Sequence, residues 1–135
     1  MKTWKVGDQG VYLMDLNSTM NEMFGAMSGD RNPVHFDHER MRKTRYKRPI
    51  ANGIQGISCI GSAIVDLFVT DSTIVIALEQ HNSFLKPIYV GDKIHATVTV
   101  DEVQDNNTYW LQCFVYNEKN DICTSARFRV RVIEA

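Results

Sequence analysis

The segment from Ile54 to Val69 constrains the fold of this chain more than any other stretch. Its large apolar residues recur at helical spacing, while glycine, serine and alanine keep the rest of the predicted helix slender. A glycine inside a helix costs about 0.5–1 kcal/mol relative to alanine, so several of them predict that neighbouring elements wrap this helix tightly. The segment is short for a membrane span and contains Gln55 and Asp66, so we expect burial within the protein and no membrane partner.

The chain downstream of this segment has the pattern of an antiparallel sheet. From Ser72 onward, β-branched residues dominate, and polar and apolar residues alternate with a period of two. Such alternation is typical of strands that place one face in water and the other on a core. With helices first and strands second, we predict an α+β fold whose sheet holds the slender helix on its concave face. The predicted strands cover residues 73–88, 93–103, 108–118 and 123–133, with turns at 105–107 and 117–121.

Shorter elements are predicted in the first half of the chain. Residues 11–13 form a short strand, and Ser18 caps a helix over residues 19–27. Asp37 caps a second short helix that carries a basic run and ends at Pro49. The first helix bears four large apolar residues at helical spacing, which we interpret as core: Met20, Met23, Phe24 and Met27.

Charge and cysteine content exclude several classes of protein. The 135 residues include 15 basic and 16 acidic side chains, and this net charge of −1 argues against a nucleic-acid partner. The three cysteines are widely spaced and form no CxxC pair, so we interpret them as buried small hydrophobes and not as disulfides or zinc ligands. The first ten residues lack an apolar signal segment, and we therefore expect a cytoplasmic protein.

Residues 28–35, SGDRNPVH, form the motif that contains the strongest candidates for acid-base catalysis. Asp30 and His35 lie five residues apart in a loop bounded by glycine and proline, so both side chains can converge on one small volume. A carboxylate and an imidazole placed in this way can hold and activate a water molecule. From the residues alone, an Asx turn at Asp30 and a structural role for His35 stay open. A metal site at His35, Asp37 and His38 is not expected, because that spacing matches no well-defined zinc motif.

The run Phe24–His35, FGAMSGDRNPVH, and residues 48–54, RPIANGI, resemble the motif of the MaoC-like, (R)-specific enoyl-CoA hydratases. Residues 83–92, SFLKPIYVGD, resemble the strand and turn that follow the central helix of that family. The resemblance implies one hotdog domain over residues 1–135, with an antiparallel sheet wrapped around a helix from Gly53 to Phe68. It also implies a homodimer or a dimer of dimers with sites at the subunit interface, and no cofactor or metal.

The activity implied by this resemblance is the reversible addition of water to a trans-2-enoyl thioester, which gives an (R)-3-hydroxyacyl thioester. Asp30 and His35 would be the catalytic acid-base pair, without an assignment of which residue is acid or base. The backbone N–H of Gly53, at the positive end of the central helix, would stabilise negative charge on the thioester oxygen. Asn32 would orient the loop, and Ser58 would contact the water or the partner's site.

Two residues depart from the pattern of the family. Asn52 stands where the family commonly has histidine, and it keeps a donor and an acceptor but does not titrate near neutral pH. Gln55 stands at a position expected to be apolar, where it either lines the acyl pocket or makes a buried hydrogen bond. Both are candidate substrate-binding residues. These departures leave open a polar or branched acyl group, a carrier protein in place of CoA, and a thioester-binding protein without turnover.

A strongly basic run lies between the motif and the central helix. Residues 38–48 contain six basic residues and one acidic residue, a local charge of +5 in a chain of net charge −1. Arg45, Lys47 and Arg48 are candidates to bind the phosphates of CoA or an acidic carrier protein, and a solvated helix face is the alternative. Nucleic-acid binding is not expected here, because Tyr46 is the only stacking partner within the run.

Thioester hydrolysis on the same fold fits the sequence less well than hydration, since thioesterases of this fold generally lack the G-D-x-N-P-x-H loop.

Overall fold

One antiparallel sheet and one long helix make up most of the protein. The computed structural model describes residues 1–135. The strands are β1 (Gln9–Asp15), β2 (Thr73–Phe84), β3 (Lys93–Gln104), β4 (Thr108–Tyr116) and β5 (Ile122–Glu134). The helices are α1 (Ser18–Ser28), α2 (His38–Arg42) and α3 (Gly53–Phe68), and residues Pro33–His35 form a single 3₁₀ turn. The strand order is β1-β3-β4-β5-β2, and α3 packs against all five strands, so the predicted α+β fold is confirmed.

Alternate residues of the strands divide between core and solvent as the sequence predicts. On β3, Val98 and Val100 are buried, whereas the threonines beside them are half-buried on the other face. On β5, Phe128 and Val130 are buried between outward-facing arginines. Each large apolar side chain buried in this core contributes about 1.5–3 kcal/mol of stability. The strand β1 is longer than predicted, and β2 ends earlier, at Phe84, ahead of the segment that contains a proline.

Helix α3 begins and ends at the predicted residues. Asn52 caps its first turn, because Asn52 Oδ1 accepts a hydrogen bond from the N–H of Ile54 at 2.9 Å.

The tight wrapping predicted from the glycines of the helix is present at Gly53 and Gly56 but not at Gly61, which has nothing within 4 Å of an added β-carbon. The helix is also closely approached where β1 crosses it. At Gly10, an added methyl group would overlap the carbonyl oxygen of Ala63. The absence of a side chain at Gly10 therefore lets the backbone of β1 lie directly on α3.

Helix α1 begins one residue away from the predicted cap. Asn17 is the N-cap, since Asn17 Oδ1 accepts a hydrogen bond from the N–H of Met20 at 2.9 Å. Ser18 is already the first helical residue, so its prediction as the cap was wrong. Asparagine and serine are about equally good caps, and their adjacency in the sequence left the choice to the tertiary structure.

The methionine stripe of α1 is not part of the core, contrary to the prediction. Met23 and Met27 are 61% and 74% exposed. The buried residues of α1 are instead Asn21 and Gly25. The physical reason is close packing, because Gly25 lies against the ring of Phe36 and a larger side chain would collide with it.

Helix α2 is capped by Asp37, as predicted, but it ends well before Pro49. Asp37 Oδ1 accepts a hydrogen bond from the N–H of Arg40 at 3.0 Å. The last helical residue is Arg42, and the chain then turns, with a left-handed φ of 70° at Lys47. The basic run is therefore divided between a short helix and an irregular segment, and does not form one continuous helix face.

The three cysteines are buried free thiols, as the sequence predicts. Burial raises the pKa of Cys59 to about 11 and that of Cys113 to about 12, so both thiols are protonated at neutral pH. Among the helices, none is both long and apolar enough to cross a membrane.

Candidate active site

In the loop between α1 and α2, the side chains of Asp30 and Asn32 each accept a hydrogen bond from the backbone N–H two residues later, which fixes the loop that carries Asp30. Asp30 Oδ1 accepts a hydrogen bond from the N–H of Asn32 at 3.1 Å, and Asn32 Oδ1 accepts one from the N–H of Val34 at 3.1 Å. The Asx turn considered from the sequence is therefore present, and it occupies only one carboxylate oxygen of Asp30. Asn32 also caps the 3₁₀ turn that carries His35, so it links the two residues through the backbone.

The backbone holds the ring of His35 in one tautomer. Its Nδ1 lies 2.8 Å from the carbonyl oxygen of Ile50. Because a carbonyl oxygen only accepts, Nδ1 carries the hydrogen, and the neutral ring presents Nε2 as an acceptor. The backbone N–H of His35 donates to the carbonyl oxygen of Asn32 at 3.0 Å. The half-buried imidazole is thus arranged to accept a proton at Nε2.

Asn52 joins the Asp30 loop to the amino end of α3. Its Nδ2 donates to Asp30 Oδ2 at 2.8 Å, while its Oδ1 caps the helix at Ile54. Gly53 follows as the first residue of α3, so its N–H has no acceptor within the helix and lies at the positive end of the helix dipole. The ring of Phe84 packs so closely on Gly53 that a β-carbon would overlap it.

An open cavity of about 790 Å³ lies beside Gly53. Its polar lining includes His35, Asn52 and two cations, Arg45 and Lys86. Gly53 and Thr124 also line it, and aromatic and aliphatic side chains form the rest of the wall: Tyr46, Ile50, Ala51, Ile54, Phe84, Leu85, Pro87, Ile88 and Tyr89. A cavity with an acceptor, a helix amino end and a mostly apolar wall can bind an acyl group and polarise its carbonyl.

The basic run contributes one of its predicted residues to this cavity. The guanidinium of Arg45 donates to Tyr46 Oη at 2.7 Å, and this hydrogen bond raises the pKa of Arg45 further above its ordinary high value. Arg48 does not line the cavity itself but stacks at 4.0 Å over the ring of Tyr89 in its wall, and Lys47 is exposed. Arg45 is therefore the candidate of the three that lies against the cavity.

A second, smaller cavity of about 370 Å³ lies on the α1 side of α3. Gln55 is only 3% exposed and donates from Nε2 to Asn21 Oδ1 at 3.1 Å, so it makes the buried hydrogen bond considered from the sequence. Ser58 donates to the backbone carbonyl of Gln55. The remaining wall is apolar: Met14, Met20, Met23, Phe24 and Met27.

Comparison with known proteins assigns the chain to a family. The family model described as MaoC like domain matches residues 8–111, which is well over half of the chain. The chain belongs to the MaoC-like family. This family contains hydro-lyases, among them (R)-specific hydratases and dehydratases. The resemblance carried by the FGAMSGDRNPVH run is therefore confirmed.

The relatives of this MaoC-like chain include (R)-hydratases. An (R)-specific enoyl-CoA hydratase from Aeromonas caviae is 31% identical over 83 residues, which span 62% of this chain and 60% of that protein. The structure of an (R)-hydratase from A. caviae involved in PHA biosynthesis has a TM-score of 0.89 at 23% identity, over 97% of this chain and 98% of that one. An unliganded R-hydratase from Pseudomonas aeruginosa has a TM-score of 0.85 at 26% identity, over 98% and 86% of the two chains. The expected hotdog fold is confirmed.

The MaoC-like fold brings some predicted site residues together and separates others. Four of them line the main cavity: His35, Arg45, Asn52 and Gly53. Two line the second cavity: Gln55 and Ser58. Four lie outside both walls: Asp30, Asn32, Lys47 and Arg48. Of these four, Asp30 contacts the main wall through its hydrogen bond with Asn52, and Arg48 contacts it by stacking on Tyr89.

Two residues of this MaoC-like site were missed by sequence reasoning. Asn21 is buried and bonds to Gln55, and its signal was a polar residue one helical turn before Gly25. Lys86 lines the main cavity, and its signal was a cation beside Pro87 in the downstream motif. Neither signal is specific by itself, since polar residues on helices and lysines beside prolines are common on protein surfaces.

Proposed function

We propose that this protein catalyses the reversible addition of water to a trans-2-enoyl thioester, giving an (R)-3-hydroxyacyl thioester. The observation that carries the proposal is the hydrogen bond from Asn52 to Asp30. It ties the carboxylate to the amino end of α3, where Gly53 and His35 line one cavity. This bond supports the proposal because it links the Asp30 carboxylate to the wall that His35 and Gly53 share, within a proposed single hotdog domain over residues 1–135.

Asp30 and His35 provide the acid-base chemistry of the proposed reaction. A carboxylate and the Nε2 of a neutral imidazole both accept hydrogen bonds, so a water molecule between them donates both hydrogens and keeps its lone pairs free. The water oxygen attacks the β-carbon of the enoyl group as one acceptor takes a proton. The same pair then delivers a proton to the α-carbon, and the enzyme returns to its starting state.

Gly53 provides the electrostatic part of the proposal. As the water oxygen bonds to the β-carbon, negative charge moves to the thioester oxygen in an enolate-like transition state. The N–H of Gly53 and the positive end of α3 stabilise this charge without reorganisation, an effect worth about 2.7–4 kcal/mol per donor in other enzymes. Because the ring of Phe84 packs on Gly53, a side chain at this position would collide with it, and the backbone that carries the donor is held in place on that side.

The cations of the cavity suit a substrate with an anionic carrier. Arg45 lies in the basic run and Lys86 lies after β2, and both line the cavity. Together they favour the phosphates of CoA or of the phosphopantetheine arm on an acidic carrier protein. We therefore propose an acyl-CoA or acyl-carrier-protein thioester as the substrate. The three free thiols agree with the reducing cytoplasm as its compartment.

The partner proposed for this chain is a second copy of itself. Strand β2 is an edge strand that pairs only with β5, and Ile74, Ile76 and Leu78 along it are 42%, 45% and 39% exposed. An edge this long and apolar favours pairing with another strand.

Light scattering should give the mass of a homodimer or a dimer of dimers for the wild-type protein. The substitution Ile76→Lys should shift the measured mass toward that of the monomer. A monomeric wild-type protein would refute this partner.

The test of the activity is the loss of conjugation absorbance when the protein is added to an enoyl thioester. The panel contains crotonyl-CoA, longer and polar enoyl-CoAs, and carrier-bound enoyl chains, and the products are analysed for chirality. Wild type should form the (R)-3-hydroxyacyl product, and Asp30→Asn should lower kcat by about 10²–10⁴-fold. Background rates for both proteins across the whole panel would refute the proposal.

Thioester binding without turnover is the second candidate, favoured by the non-titrating Asn52 at the helix cap. Calorimetry that shows acyl-CoA binding without any product would support this candidate. Release of free thiol would instead indicate thioester hydrolysis. Formation of the (R)-3-hydroxyacyl product would exclude both.

A further inference from the structure

A chain of buried amides connects α3 to the backbone of His35. Gln55 Nε2 donates to Asn21 Oδ1 at 3.1 Å, and Asn21 Nδ2 donates to the carbonyl oxygen of His35 at 3.0 Å. The two amide side chains are 3% and 6% exposed. Three elements are thereby joined by side-chain hydrogen bonds: α3, α1 and the 3₁₀ turn that carries His35.

Packing alone does not explain these two amides. Gln55 shares its cavity with four methionines and Phe24, so an apolar pair would suit the same space. Buried amides are tolerated only when they are hydrogen-bonded, and a pair of apolar side chains of similar shape is about as stable. An apolar pair would fill the space but could not donate to the carbonyl of His35, so Asn21 and Gln55 make a specific connection that a nonspecific contact cannot replace.

The connection ends at the residue whose geometry the proposed reaction needs most. The ring of His35 is fixed through Nδ1 by Ile50, and its backbone N–H is fixed by Asn32. Both partners belong to the loops around the site, whereas Asn21 is the link to the helical framework. Without Asn21, the carbonyl of His35 would lose its side-chain donor, and the 3₁₀ turn would lose its link to α1 while keeping backbone bonds such as that from the N–H of Phe36 to the carbonyl oxygen of Pro33.

We propose that Asn21 and Gln55 are positioning residues for His35. Asn21 holds the backbone of His35 so that Nδ1 reaches Ile50 and Nε2 faces the cavity, and Gln55 orients the amide of Asn21. Neither side chain touches the substrate in this role. The inference rests on the proposed function for its kinetic consequence, but not for its effect on the geometry of His35.

The kinetic test uses Asn21→Leu, Gln55→Leu and the double variant. Each single variant leaves a buried amide without its partner and should lower Tm. The double variant pairs two apolar side chains and leaves only the carbonyl of His35 without its donor, so it should recover part of that loss. In Asn21→Leu and in the double variant, kcat should fall about 10-fold with KM changed less than 2-fold, since a small displacement of an acid-base group acts on the chemical step. Wild-type kcat in the double variant would overturn the proposal.

Thr73→Val is the matched control. Thr73 Oγ1 also donates from a buried side chain to a backbone carbonyl, that of Phe68 at 2.8 Å, but at the opposite end of α3. It should lower Tm while leaving kcat unchanged. A comparable loss of kcat in Thr73→Val would show that general destabilisation explains the effect, and would also overturn the proposal.

A spectroscopic readout separates this inference from the proposed function. ¹⁵N shifts of the His35 ring should show the Nδ1–H tautomer in wild type and in Thr73→Val, and a mixture of tautomers in Asn21→Leu and the double variant. An unchanged tautomer in those two variants would overturn the inference, whether or not the protein is a hydratase. A wild-type protein without hydratase activity would refute the proposed function alone.

Discussion

At the scale of the residue, Asn52 performs two tasks with one side chain. Its Oδ1 caps α3 and its Nδ2 holds Asp30. The amide supplies an acceptor for the helix N–H and a donor for the carboxylate, and unlike a histidine ring it keeps both at every pH near neutrality. The departure from the usual residue of the family therefore keeps the helix amino end and the acid loop in contact.

Asn52→Ala should affect both stability and the proposed activity. Loss of the cap should lower the free energy of unfolding by about 0.5–2 kcal/mol. Loss of the bond to Asp30 should lower kcat at least about 10-fold, because the carboxylate is no longer fixed. Denaturant unfolding and initial rates measure the two effects.

Asn17→Ala is the control for this prediction, because Asn17 caps α1 through the same kind of bond but does not contact Asp30. It should cost similar stability and leave kcat near the wild-type value. If both variants lost activity equally, the role of Asn52 would be reduced to capping.

The buried thiols give a second prediction at this scale. Burial raises the pKa of Cys113 to about 12, from an ordinary value of 9.0. The folded state therefore holds the thiol proton more tightly than the unfolded chain, and the stability from this difference is present below about pH 9 and lost between about pH 9 and 12. Thermal unfolding from pH 7 to 11 should show a smaller alkaline decrease in Tm for Cys113→Ala than for wild type; parallel curves would contradict it.

At the scale of the element, the local sequence predicts which face of each strand is buried, but it predicts the buried face of the helices less well. Strands β3, β4 and β5 obey the alternation of the sequence, because the side-chain period of a strand divides each one between two faces. Helix α1 places Asn21 and Gly25 inward and its methionines outward. The apolar spacing identified the helix correctly, but the close approach at Gly25 determined which face is buried.

Gly10→Ala tests the crossing of β1 over α3. The new methyl group would overlap the backbone carbonyl of Ala63, which cannot move without disturbing the helix. The free energy of unfolding should fall by about 1–3 kcal/mol, measured by chemical denaturation. Gly61→Ala is the control, because nothing lies within 4 Å of its added β-carbon. It should stabilise α3 by about 0.5–1 kcal/mol, and equal losses in both variants would contradict the crossing.

At the scale of the whole molecule, charge is unevenly distributed. Residues 38–48 carry +5 in a chain of net charge −1. Arg45, which precedes α3 in the sequence, and Lys86, which follows it, line the same cavity in the folded protein. Arg42, in the same run, does not line this cavity and pairs with Glu39 on the surface. The electrostatic attraction of the cavity therefore comes from two distant segments of the chain.

The Michaelis constant of the proposed reaction should rise with ionic strength. Salt screens the attraction between the cations of the cavity and the phosphates of the substrate carrier. The rise should be smaller in Arg45→Gln, whereas Arg40→Gln, in the same run but away from the cavity wall, should behave like wild type. Initial rates at about 20 to 500 mM salt measure this, and a constant KM in the wild-type protein would contradict a phosphate role for Arg45.

The sequence by itself determined the α+β class, the bounds of α3, the buried thiols and the family. These follow from period-two alternation, small residues on an apolar helix and one long motif, all of which are local patterns. Tertiary structure alone decided that Asn52 donates a hydrogen bond to Asp30 and that Gln55 is hydrogen-bonded through Asn21 to the backbone of His35. It also decided that Lys86 and Arg45 line the same cavity. Each of these contacts joins segments far apart in the chain, and their partners are chosen by how the elements pack, which no local pattern encodes.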